Sequence, residues 1–314
     1  MGPRFVLLWP DTFNNYFHPH IARAAVEVLE DAGFHVEIPQ KNICCGRPLY
    51  DYGMLDTAEK WLRKILDNLR SQISEGIPMV VLEPSCCAVF REELTNLLPN
   101  DQDAQRLRKQ TFTLSEFIAK HAPNYPTKQL KRHAIVHGHC HQKAIIGMDC
   151  EEEILQRLGL QYEMLDAGCC GMAGAFGFEK EHYDVSVKCG ERVLLPKVRQ
   201  TDHDTLIITN GFSCHEQILQ LGARPALHLA EVLHLAMREG TSPRLESRLQ
   251  PVPRREPFPA NPKTEQQHGT FAEDELEPTF HPHHRWRVVG AGLAALAGIG
   301  GAWAWHRHHH NGQH

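Results

Sequence analysis

One short device, given twice, constrains this chain more than any other feature. Asn42-Ile43-Cys44-Cys45-Gly46 and Ala167-Gly168-Cys169-Cys170-Gly171-Met172-Ala173-Gly174 each set two adjacent cysteines before a glycine. Both copies stand at the same point in a repeated order of short apolar runs and amphipathic stretches. In the first half the pattern predicts a strand over 5–9, a helix over 20–32 and a strand over 35–38. A helix over 56–73, a strand over 79–82 and Pro84-Ser85-Cys86 follow. The second half predicts a strand over 133–137, a helix over 151–158 and a strand over 162–165. A long helix over 180–195, a strand over 205–209 and Asn210-Gly211-Phe212-Ser213-Cys214 complete it. Ile21, Ala25, Val28, Leu29 and Ala32 share one helical face, and Gly33 supplies the left-handed stop. Pro196 is expected to end or kink the long helix. Alternating strands and helices imply parallel sheets with helical crossovers. The expected fold is therefore α/β, with two pseudo-symmetric βαβ-type units over 1–125 and 126–240.

Composition narrows the function classes. The 314 residues are 42 % hydrophobic and 23 % charged, as in a folded globular protein. A net charge of −5 without any Lys/Arg run argues against a nucleic-acid partner. Met1-Gly2-Pro3-Arg4 leads at once into an apolar run too short for a secretory signal, so a cytoplasmic body is expected. Ten cysteines in that setting point to metal ligands or redox groups, not structural disulfides. Residues 241–284 are rich in Pro, Glu, Arg and Gln without a period and read as a disordered linker. The uncharged run 288–305 is flanked by Arg285, Trp286 and Arg287, and Trp303 and Trp305 close it. It reads as a transmembrane anchor within 285–307, ahead of a His-rich tail over 308–314.

In the second half Cys140, the pair Cys169 and Cys170, and Cys214 each follow a different expected strand. Loops after parallel strands share one rim of a sheet, so these four thiols can converge. Four thiolates suit an iron–sulfur cluster or a structural zinc. Zinc fits less well, because the chain has no C-x-x-C. Gly168, Gly171 and Gly174 would let the backbone pass close to a bulky group and offer N–H donors to it. Three other readings stay open. The pairs are buried small residues, or a redox-active dithiol, or Cys140 is a nucleophile beside His139 or His141. His137, His139 and His141 alternate around Cys140 and either tune this site or are ordinary surface histidines. Cys87, Cys150 and Cys189 do not repeat, and the last two read as packing residues.

The order of cysteine, Cys-Cys-Gly and cysteine, given twice, resembles the cysteine-rich CCG domain. That domain occurs in the B subunit of heterodisulfide reductase, glycolate oxidase iron–sulfur subunits and the C-terminal part of FAD-linked D-lactate dehydrogenases. The likeness covers about residues 4–238 and is most specific in Gly168 to Gly174 followed by Phe176-Gly177-Phe178-Glu179. Leu82-Glu83-Pro84-Ser85-Cys86, Asn210 to Cys214 and Ala226 to Leu233 add to it. The resemblance implies a [4Fe–4S]-type cluster on Cys140, Cys169, Cys170 and Cys214, passing on electrons from a flavin. It implies a less complete copy at Cys44, Cys45 and Cys86. Gly211 and Glu83 stand at the first position of the family's C-x-x-C, and Asp11 stands nearest the first unit's leading cysteine. No Gly-rich nucleotide fingerprint follows the first strand, so the flavin is expected on another polypeptide. The implied role is an electron-transfer subunit for a separate FAD-dependent 2-hydroxy-acid dehydrogenase of the D-lactate or glycolate type. A ferredoxin-type carrier or a quinone would be the acceptor. A metal-free thiol/disulfide oxidoreductase or redox sensor, and a degenerate docking scaffold, are the alternatives.

Overall fold

A computed structural model describes residues 4–41 and 43–239. The first half runs β1 (Arg4–Leu8), α1 (Pro19–Asp31), β2 (Phe34–Glu37), α2 (Arg47–Asp51), α3 (Leu55–Asn68) and α4 (Arg70–Glu75). It continues with β3 (Met79–Val80), α5 (Pro84–Ala88), α6 (Leu94–Leu97), α7 (Gln102–Gln110), β4 (Thr111–Phe112) and α8 (Leu114–His121). The second half runs β5 (His133–Val136), α9 (Asp149–Arg157), β6 (Gln161–Met164), α10 (Tyr183–Glu191) and α11 (Leu194–Gln200). It ends with β7 (Leu206–Ile208), α12 (Phe212–Gly222) and α13 (Leu229–Glu239). The expected linker 241–284, anchor 285–307 and tail 308–314 lie outside the described residues. Among the described residues no helix is long and apolar enough to cross a membrane.

Both sheets are parallel, ordered β2-β1-β3-β4 and β6-β5-β7. The central strands are buried where they pair: Val6, Leu7 and Leu8 in β1, and Ala134, Ile135 and Val136 in β5. The repeat extends further than the sequence suggests. A π-type turn follows the first strand of each half, at Phe13–Phe17 and Gln142–Ile146. β4 is unexpected, because two residues carry no period, and its counterpart is a single parallel bridge between Ile208 and Leu227. The helix expected over 56–73 is two, with Leu69 at φ −102°, ψ 10° between α3 and α4. The helix expected over 180–195 starts at Tyr183 after a 3-10 turn and breaks at Val193, at φ −145°, ψ −53°. Pro196 explains the break: it has no N–H for the Arg192 carbonyl, and its ring crowds that turn. It sits in the first turn of α11, where the missing donor is harmless.

The halves exchange their last helices. α13 packs on α1, and α8 packs on α9. One apolar core therefore holds Val6, Leu29 and Phe117 of the first half together with Val136, Ile154, Ile208 and Leu233 of the second. Two smaller cores lie on the other faces, and each contains cysteines: Cys45, Cys86 and Cys87 in one, Cys170 and Cys214 in the other.

Candidate metal centre

The two Cys-Cys-Gly stretches fold into the same turn. Gly46 has φ +79° and Gly171 has φ +103°, a region that favours glycine. Each glycine donates its N–H to the first cysteine of its pair: Gly46 to Cys44 Sγ at 3.5 Å, Gly171 to Cys169 Sγ at 3.3 Å. The first cysteine of each pair is the more exposed, and the second is buried. Beneath the second turn runs α10, so close that a Cβ on Gly171 would lie 2.1 Å from the Ser186 carbonyl oxygen. Gly174 also has a positive φ, +66°, while a Cβ on Gly168 would meet open space. Lys143 reaches across Gly138 to donate to the Ala167 carbonyl, tying the loop after β5 to the strand end before Cys169.

The trailing cysteines correct one expectation. Cys86 and Cys214 are not in loops but in the first turns of α5 and α12, three residues after the N-caps Glu83 and Gly211. The N–H-rich start of α12 favours the Cys214 thiolate, whereas at Cys86 the Cys45 hydrogen bond is outweighed by burial and the Asp11 and Glu83 charges, which push the thiol up to about 12. Cys140 opens the helical turn after β5. His137 reaches the cysteines from the end of β5, where its N–H bonds the Ile208 carbonyl, and His139 and His141 flank the start of this turn. The His139 and His141 rings stack with centroids 5.4 Å apart and planes 18° apart.

The four thiols of the second half form a connected row. Hydrogen bonds from Cys140 and then Cys170 hold Cys169 well below the usual thiol range, aided by the Gly171 N–H. Cys170 is also within hydrogen-bonding reach of Cys214, its single S–H serving one neighbour at a time, and with the neighbouring His137 it holds Cys214 low. The donors Cys140 and Cys170 are pushed upward by the same bonds and by burial. In the first half Cys45 Sγ lies 2.9 Å from Cys86 Sγ, and Cys44 bonds Cys45. All ten cysteines are free thiols.

The leading position of the first half holds Thr12, not Asp11. The Thr12 hydroxyl bonds Cys44 as Cys140 bonds Cys169. Asp11 is buried and accepts from the Asn14 N–H and Nδ2, each at 2.9 Å. Burial, then the nearby Glu83 charge, pushes its carboxyl up to about 7. Glu83 is also occupied: one oxygen accepts from Ser85, and the other accepts the Phe212 N–H at 2.8 Å. Neither carboxylate is a spare ligand. Thr12, and Arg47 beside His141, were missed because nothing in their local sequence marks them.

Buried donors without protein acceptors surround both thiol groups. Nδ1 of His141 has no partner beside the second group, where His137 meets only Cys214, and Trp9 Nε1 and Tyr50 Oη are unpartnered in the first half. Cys45 adds to the burial that pushes the Tyr50 phenol upward, which places that hydroxyl near the first thiol group. Unsatisfied buried polar groups are costly and call for an acceptor. Sulfur in a metal cluster is one, and a set of four cysteine thiolates is the usual cluster complement. One zinc ion fits less well. Zn–S bonds of about 2.3 Å in a tetrahedron put ligand sulfurs about 3.8 Å apart. Among the described residues only His139, Cys140 and His141 bring three ligand atoms mutually within 4.8 Å. The four thiols span more than a single ion needs.

A family model described as a cysteine-rich domain, CCG, matches residues 11–91 and 149–219. Both halves of the chain thus match the cysteine-rich CCG domain family. The matched stretches hold Cys44, Cys45 and Cys86, and then Cys169, Cys170 and Cys214, while Cys140 precedes the second. Among curated relatives, the C subunit of anaerobic glycerol-3-phosphate dehydrogenase of Escherichia coli (strain K12) is 29 % identical over 211 residues. That match covers 66 % of this chain and 52 % of the relative, so the chain spans about half that protein's length. Lactate utilization protein A of Bacillus licheniformis is 28 % identical over 240 residues, covering 69 % of this chain and 94 % of the relative. D-2-hydroxyglutarate dehydrogenase of Pseudomonas putida is 25 % identical over 232 residues, covering 73 % of this chain and 22 % of the relative.

Proposed function

We infer that the chain is an electron-transfer subunit that holds one [4Fe–4S]-type cluster in its second half. The single observation that carries this is the connected row Cys140, Cys169, Cys170, Cys214, with the unpartnered Nδ1 of His141 beside it. When bound, such a cluster supplies one-electron transfer. All four thiols give up their protons on ligation, and the hydrogen bonds that hold Cys169 and Cys214 low ease that loss at those two. The Gly171 N–H is aimed at Cys169 Sγ, and burial of Cys170 and Cys214 keeps water from half of the set. Gly168 and Gly174 leave room at the rim of the same turn. Cys44, Cys45 and Cys86 repeat the arrangement with Thr12 in place of the fourth thiol and form a weaker, secondary site.

The relatives' names concern the dehydrogenation of glycerol 3-phosphate and D-2-hydroxyglutarate, and lactate utilization. The proposed donor is accordingly a separate FAD-dependent dehydrogenase of a small 2-hydroxy acid, and the acceptor is a ferredoxin-type carrier or a quinone. The exposed thiol of Cys169, held low by its neighbours, favours a second reading, a metal-free thiol/disulfide reductase working on Cys169 and Cys170. A stopped-flow experiment separates the two. The loaded chain is mixed without oxygen with the organism's flavin 2-hydroxy-acid dehydrogenase and D-lactate or glycolate. Bleaching of the cluster absorption at the rate of flavin reoxidation supports electron transfer. A cluster-free chain, oxidised at that pair beforehand, that gains two titratable thiols in the same mixture supports the second reading.

A further inference from the structure

The second half places a histidine where it lacks a thiol. Gly211 occupies the first position of a would-be C-x-x-C whose second member is Cys214. Its backbone, φ −89° and ψ 134°, is ordinary extended chain, so conformation does not require glycine. Space does. A Cβ on Gly211 would lie 2.2 Å from Cδ2 of His139, 3.0 Å from its Cγ and 3.1 Å from its Nε2. The imidazole fills the volume that a side chain at 211 would need. His139 is 5 % exposed and stacked on His141, and its Nδ1 accepts the His141 backbone N–H at 3.2 Å. A neutral ring with Nδ1 as acceptor carries its proton on Nε2, on the edge turned toward Gly211. The same ring brings a nitrogen within 4.8 Å of the Cys140 sulfur, the first thiol of the row.

We propose that His139 is a positioning residue of the centre, standing in for the missing thiol and turning its Nε2–H toward the row of thiols. This rests on the cluster reading above. A donor in place of a further thiolate changes the chemistry in a stated direction. An N–H bonded to sulfur favours the electron-richer state and raises the reduction potential, whereas a fifth thiolate would lower it. Gly211 is then a specificity device, kept small so that the ring can enter.

The test uses the full chain, loaded with iron and sulfide without oxygen, as wild type, His139→Ala, His139→Gln, Gly211→Ala and the double variant His139→Ala/Gly211→Ala. Iron per chain, an EPR-monitored potential titration and a thermal melt are measured on each. His139→Ala lowers the midpoint potential while iron stays bound, and His139→Gln, which keeps an N–H donor, moves it back toward wild type. Gly211→Ala displaces the ring and lowers the potential as well, and the double variant matches His139→Ala alone. A loaded His139→Ala chain at the wild-type potential overturns the proposal. So do additive shifts in the double variant, or a directly ligated nitrogen in pulsed EPR. Should His139→Ala fail to fold, Gly211→Ala decides: a wild-type potential there overturns the proposal equally. A folded wild-type chain without iron instead overturns the cluster reading itself, an outcome distinct from a loaded chain indifferent to His139.

Discussion

Gly171 has two jobs that no other residue type can do together. It turns the chain at φ +103°, and it lets the Ser186 carbonyl of α10 approach where a Cβ would stand 2.1 Å away. Gly168, three positions earlier, has neither constraint. Gly171→Ala is therefore expected to cost about 3 kcal/mol, from left-handed strain plus overpacking. Gly168→Ala should change stability by less than about 0.5 kcal/mol. Urea unfolding of the metal-free chain checks both, and equal midpoints for the two variants would contradict the assignment. At this scale the paired cysteines and their glycines were legible, because adjacency and repetition mark them in one dimension. Thr12 was not. Its contact is with Cys44, a residue brought to it only by the β1-α1-β2 crossover, and a threonine after a strand carries no mark. His139 and Gly211 meet across the sheet in the same way, and only the missing Cβ shows it.

At the scale of elements, Glu83 couples two helices from different halves. One carboxylate oxygen caps α5, which carries Cys86, and the other receives the first N–H of α12, which carries Cys214. Glu83→Ala leaves the Phe212 and Ser85 donors without this acceptor and is expected to cost about 3 kcal/mol. Glu83→Gln, which keeps one acceptor oxygen, should fall between it and wild type. A loss under about 0.5 kcal/mol in the alanine variant, by urea titration, would show that this carboxylate links nothing. The sequence marked Glu83 only as the occupant of a lost ligand position. Strands β1, β2, β3, β5, β6 and β7 were legible from their apolar runs, β3 because Val81 and Leu82 extend its run, and α1 from its buried face. β4 and the breaks at Leu69 and Val193 were not, since two-residue strands and local backbone angles leave no periodic trace. Pro196 did announce the last break, but its effect falls one turn upstream of itself, at the carbonyl it cannot bond.

The molecule as a whole is a pseudo-twofold pair in which α13 completes the first half and α8 completes the second. That exchange was invisible in the sequence, because the periodicity of a helix states that one face is buried and not against which partner. It has a consequence for dissection. Fragments 1–125 and 126–240, made separately, each leave the apolar face of an exchanged helix uncovered, and neither should unfold cooperatively alone. Mixed or co-expressed, they should regain the full-length far-UV spectrum and a single melting transition. Two independent, cooperative fragment melts would contradict a shared core. The same packing explains how thiols far apart in sequence gather in two matching places, each at the carboxyl end of a parallel sheet.

The central claim is that the second row of thiols holds iron. Iron and acid-labile sulfide, assayed per chain after purification and loading without oxygen, test it most directly, with Cys170→Ser as the paired variant. The account predicts about four of each in the wild-type chain, as a single [4Fe–4S]-type cluster requires, and their loss in a Cys170→Ser chain that still folds. A folded wild-type chain with neither iron nor sulfide, or a Cys170→Ser variant that keeps the full complement, would contradict it.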